Sequence, residues 1–164
     1  MPETLRARTR GFTILELLIV VVIIGIIAAI AIPRLSRGTA GAADSAVAGD
    51  LAALRNAIDL FAAEHGGKYP RLAAIGQQLP GYTDHSHASD PVATKDAAHI
   101  YGPYLQKIPP LPAGTNQGKT TFTGTPPGGT AADAGWYYNE TTGQVRANCT
   151  DAETDDLGTP YNQY

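Results

Sequence analysis

Residues able to do chemistry gather in three places along this 164-residue chain. The first is Asp84-His85-Ser86-His87 with Asp90 just downstream. If that segment is extended, alternate residues share a face and the two histidines can meet one divalent metal. No cysteine accompanies them, so a polar loop of solvated side chains is the competing reading. The second is Asp151, Glu153, Asp155 and Asp156, a cluster of carboxylates near the C-terminus. Oxygen-rich loops suit Ca²⁺, but the spacing is not that of an EF-hand, and a structural Ca²⁺ stands against a solvated acidic tail. His65 and His99 have no paired motif, and the single cysteine, Cys149, leaves no intrachain disulfide. Nucleophile elbow, phosphate loop and zinc-hydrolase helix are all missing. The expectation is a chain with no catalytic residues and no cofactor beyond that candidate calcium, hence not an enzyme.

The third place is one residue, Glu16. From Phe12 to Ile32 only Thr13 and Glu16 carry polar side chains. As a helix that block is about 31 Å long, enough to span the ~30 Å hydrocarbon core of a bilayer. An unpaired carboxylate within it costs on the order of 2.5–3.5 kcal/mol, so it must sit shallow, take a proton or find a cation. The block itself holds no cation. Before it, Arg6, Arg8 and Arg10 oppose Glu3, so residues 1–11 are net +2 and the remainder, of a chain with 12 basic and 15 acidic residues, is net −5. Such an acidic remainder argues against nucleic acid as the main partner. Ala29-Ile30-Ala31 offers a secretory cleavage site. Against that reading stand an apolar run longer than the usual ~7–15 residues, the acid within it, and Pro33 just beyond.

The run Gly11-Phe12-Thr13-Ile14-Leu15-Glu16-Leu17-Leu18-Ile19-Val20-Val21, continuing through Gly25 and Pro33, resembles the leader and N-terminal helix of type IV pilins and of the pseudopilins of type II secretion. The resemblance implies a structural filament subunit. A prepilin peptidase would cut between Gly11 and Phe12 and N-methylate Phe12, and Glu16 would then neutralise the Phe12 amine of a neighbouring subunit. It implies a single-pass protein of the bacterial inner membrane, N-terminus cytoplasmic and head extracytoplasmic, that later forms a periplasmic or surface filament. Arg34 and Arg37 beyond the block partly offset the positive-inside signal, and the family pattern tips the orientation. The implied partners are copies of itself and other pilins or pseudopilins, the prepilin peptidase, the inner-membrane assembly platform, and membrane lipid before assembly. Pilus and secretion pseudopilus both stand, with a head like that of the major pseudopilins as one form. In the resembling family the stretch between such a Gly and Pro can lose helical order, so Gly25–Pro33 is expected to act as a helix break or as a simple kink. The major pseudopilins also hold calcium in a C-terminal loop, although their familiar head motifs are not evident in this chain. The other class to weigh is a membrane-anchored or secreted extracytoplasmic binding domain with no filament role.

Elements must position these residues. The expected organisation is a cleaved basic leader over 1–11, a transmembrane and filament-core helix over 12–33, an amphipathic helix over 34–66, and a head over 67–164. Val47, Leu51, Leu54, Ile58 and Phe61 recur at helical spacing and form one apolar face, and Gly66-Gly67 with Tyr69-Pro70 ends the helix. Residues 71–112 form a long connection, with short helices expected at Leu72–Gln78 and Lys95–Leu105. Strands are expected at Thr120–Thr123, Trp136–Tyr138 and Gln144–Ala147, the last two joined by an Asn139–Gly143 hairpin loop. The expected fold is α+β: a long N-terminal helix packed on a small antiparallel sheet.

Overall fold

The computed structural model describes residues 12–86, 91–128 and 133–164, with backbone alone over 30–40. Helix α1 runs Ile14–Glu64, followed by α2 (Ile75–Gln78), strands β1 (Phe122–Thr123), β2 (Trp136–Asn139) and β3 (Gln144–Ala147), and a 3-10 turn at Tyr161–Gln163. The chain divides into two compact units, residues 1–39 and 40–164.

From Leu17 to Ala29 α1 is apolar on every side. The large side chains from Ile14 to Ile27 are exposed, and the backbone is helical through Gly25 and Pro33. Among the described residues no helix is long and apolar enough to cross a membrane. The expected membrane-spanning half is therefore not met there. The described apolar side chains stop at Ala29, before the block ends at Ile32.

The second unit is built on the later part of α1. Val47, Leu51, Leu54, Ile58 and Phe61 are fully buried, whereas Arg55, Asp59 and Glu64 are exposed. The buried stripe meets Trp136 and Tyr138 of β2, Val145 and Ala147 of β3, and Ile75, Leu79 and Leu111 from the connection. Each Val, Leu, Ile and Phe among them contributes about 1.5–3 kcal/mol on burial. The two largest also satisfy their polar atoms: Trp136 Nε1 donates to the Pro109 carbonyl at 2.9 Å and the Tyr138 hydroxyl to the Pro70 carbonyl at 2.9 Å. α1 stops where glycine permits a left-handed turn. Gly66 has φ +64°, and the Gly67 amide returns to the Ala62 carbonyl at 2.8 Å, a Schellman closure.

The sheet corrects one expectation. β2 and β3 pair antiparallel, Trp136 opposite Ala147 and Asn139 opposite Gln144. β1 instead pairs parallel with β2, Phe122 opposite Trp136, so the order β1-β2-β3 makes a mixed sheet. Parallel neighbours need a crossover of about a dozen residues, and the Gly- and Pro-rich stretch between β1 and β2 provides that length.

The long connection corrects a second. The helix expected at Leu72–Gln78 shrinks to α2, and none forms at Lys95–Leu105. Pro103 lacks a backbone donor, Gly102 sits at φ +87°, and Asp96 Oδ1 takes the Ala98 and His99 amides at 2.8 and 2.7 Å. Local turns thus outcompete helix. Isolated bridges, Tyr82 to Val92 and Thr83 to Tyr101, hold the segment together.

Candidate functional site

The apolar block at the start of helix α1 opens on its only polar residues, Thr13 and Glu16. Thr13 is the residue before the first helical position, and Glu16 lies three further on. The Thr13 amide and hydroxyl donate to Glu16 Oε2 at 2.9 and 2.8 Å, and the Glu16 amide donates back to Thr13 Oγ1 at 3.2 Å. This is a reciprocal capping box, which satisfies amides that have no partner inside the helix. Beyond being an acid awaiting a cation, Glu16 thus has a local role as a cap, and Thr-x-x-Glu before an apolar run is the sequence signal for it. Phe12, just outside the box, is 80% exposed. Gly25 has open space around it. Gly11 and the Pro33 side chain lie outside the described residues.

A carboxylate at the tip of a helix that is apolar all round has a definite chemical capacity. Such a helix is stable when lipid or other helices cover it. Oε2 takes the Thr13 amide and hydroxyl, and Oε1 takes no bond among the described residues, so the group can receive a cation carried by another chain. A charge pair enclosed by apolar side chains holds together best when hydrogen bonds satisfy it.

Three of the four C-terminal carboxylates, those of Asp151, Glu153 and Asp155, are engaged, each with its own donors. Glu153 Oε1 accepts the Thr115 hydroxyl at 2.6 Å and the Thr115 amide, and Oε2 accepts the Thr150 amide at 2.6 Å. Burial alone would raise the Glu153 carboxyl, but the Thr115 and Thr150 hydrogen bonds outweigh it and hold the group below the usual carboxylate range. Asp155 is also held low, first by the Tyr164 hydroxyl and then by the Thr159 amide. Asp151 takes the Asn162 side-chain amide at 2.8 Å. Asp156 contributes its backbone amide to Asp44 Oδ2 at 3.1 Å, and the Tyr161 hydroxyl donates to Asp44 Oδ1 at 2.6 Å. Thr115, Asp44, Tyr161 and Tyr164 are partners that spacing along the chain could not reveal. These bonds tie the C-terminal segment to α1 and to the loop at Thr115.

The histidines separate in the same way. His65 is buried at the end of α1, stacked on Phe61 at 3.9 Å, with Nδ1 donating to the Phe61 carbonyl at 2.8 Å and Nε2 3.0 Å from the Asp84 carbonyl. His99 pairs with Asp96 at 2.9 Å. Ser86 bonds Asp84 at 2.8 Å, and the His85 ring lies 5.8 Å from Tyr101. His87 and Asp90 lie outside the described residues. Among the described residues no three His, Cys, Asp or Glu side chains group to hold a metal. Cys149 is fully buried, and burial pushes its thiol up to about 12.

Comparison with known proteins bears on the N-terminal end. Residues 6–32 match the prokaryotic N-terminal methylation motif, the signature of type IV pilin and pseudopilin prepilin-like proteins. The match takes in the capping box and the apolar helix behind it. No curated protein and no solved structure matches the chain.

Proposed function

We propose that the chain is a structural subunit of a type IV filament, either a type II secretion pseudopilus or a type IV pilus. It enters the bacterial inner membrane as a prepilin through residues 12–33, with the N-terminus cytoplasmic and the head outside. Prepilin peptidase cuts between Gly11 and Phe12 and methylates the new Phe12 amine. The helix then leaves lipid for a bundle of like helices, where Glu16 of one subunit meets the Phe12 amine of another. The methylation motif over residues 6–32 carries this reading. The all-round apolar surface of α1 from Leu17 to Ile27 and the one carboxylate at its start, Glu16, support it. Two charges that are each costly in lipid become a hydrogen-bonded pair, which favours assembly over dispersal.

Mass spectrometry of the mature protein tests it. N-methyl-Phe12 as the first residue is the expected result, and cleavage after Ala31 or an intact N-terminus overturns the proposal in favour of a secreted or anchored binding domain. Glu16→Ala is expected to insert and be cleaved yet to give few or no filaments. Wild-type filament yield from that variant removes the role assigned to Glu16.

A further inference from the structure

Two features of the head lie at opposite ends of its helical spine. The turn Asp155–Gly158 is tied through the Asp156 amide to Asp44, early in the head's part of α1. A pocket of about 400 Å³ lies just past Glu64, where α1 ends, lined by Gly67, Lys68, Tyr69, Arg71, Glu140 and Thr141 among others. The helix from Asp44 to Glu64 rises 1.5 Å per residue, which separates the two by about 30 Å.

The two ends are complementary. Lys68 is exposed, and Arg71 has Nε and Nη2 enclosed without a hydrogen-bond partner. Neither cation pairs with a carboxylate among the described residues. Glu140, the acid on the wall, has Oε2 committed to the Leu72 amide at 2.7 Å. At the other end Leu157 is 91% exposed beside the exposed Asp156. That turn is stiffened from within, because Asp155 Oδ1 accepts the Leu157 and Thr159 amides at 2.8 and 2.7 Å and its other oxygen the Tyr164 hydroxyl. A preorganised protrusion loses little freedom on docking.

Resting on the filament reading above, we propose that the Asp155–Gly158 turn of one copy docks into this pocket on the next, Asp156 facing Lys68 and Arg71, with Leu157 against the Tyr69 wall. The two surfaces differ and lie at opposite ends, so the contact is heterologous. Each added copy leaves a fresh pocket and a fresh turn, and the array stays open instead of closing as a twofold dimer.

Cross-linking of the full chain tests this. Lys68→Cys combined with Leu157→Cys places thiols at two exposed positions, and oxidation of assembled protein is expected to give a ladder of dimers, trimers and longer species. Monomer alone, or dimer alone, overturns the docking. Independently, Lys68→Glu and Asp156→Lys are each expected to lower sedimentable polymer more than about tenfold through like-charge contact, and the two together are expected to restore it. N-methyl-Phe12 measured on every variant separates lost assembly from lost processing. Wild-type protein that is processed but never polymerises removes the filament reading itself, whereas normal polymer from both single variants with no ladder removes only the docking.

Discussion

At Asp155 one carboxylate gathers two backbone amides and the Tyr164 hydroxyl, and its acidity records the arrangement. Asp155 and Glu153 are both held below the usual carboxylate range. Their contribution to stability is therefore complete above the ordinary value, roughly pH 4, and is lost as the pH falls through the lowered one. Tyr164 carries the opposite sign. Its hydrogen bond to Asp155 pushes it up to about 12, so its contribution holds below pH ~10 and disappears as pH rises through the raised value. Proteolysis of the C-terminal segment should accordingly be slow between those limits and fast outside them. Asp155→Asn should flatten the acid limb, and an unchanged profile would show that Asp155 does not set it. Because Glu153 and Asp155 already accept donors from the chain, melting curves with and without a calcium chelator are expected to coincide; a lower Tm with chelator would support a structural calcium instead.

Among the elements, α1 and the β2–β3 hairpin are the most sensitive to single changes. Leu54 is fully buried in the stripe that meets the sheet, and Leu54→Ala is expected to cost about 2–5 kcal/mol in chemical denaturation. Gly143 closes the hairpin at φ +71°, with its amide on the Asn139 carbonyl at 2.9 Å, and a Cβ there would collide with the Tyr69 ring. Gly143→Ala should thus destabilise by about 1–3 kcal/mol, since it combines left-handed backbone strain with a clash; a loss below half a kilocalorie would show that Tyr69 simply swings away. The buried stripe on α1 and strand β3 were legible because each follows a period that burial imposes. The direction of β1 was not, since two residues carry no pattern that separates parallel from antiparallel. The failed helix near Lys95 shows the same limit: helical composition is a weak prior, and the Asp96 turn with Gly102-Pro103 overrides it. At the N-terminus Phe12 and Glu16 stand out by type and spacing alone. The partners of the C-terminal carboxylates lie as far as 38 residues off in the chain, beyond any local pattern.

At the scale of the whole molecule, the two units face different demands. Residues 17–27 offer water an unbroken apolar surface, whereas the head encloses its own core. Detergent-free purification of the full chain should therefore give large assemblies or precipitate; a stable monomer under those conditions would contradict the exposed apolar helix.

The bond between Tyr161 and Asp44 spans 117 residues. On a growing chain Asp44 and the stripe from Val47 to Phe61 are made first, and at about 5–20 residues per second Tyr161 follows some ~6–23 s later. For most of that delay, until β2 and β3 are made, the stripe has no sheet to cover it. Synthesis order thus sets a waiting time in which the nascent head is open to wrong partners, and its last turn is the event that closes it.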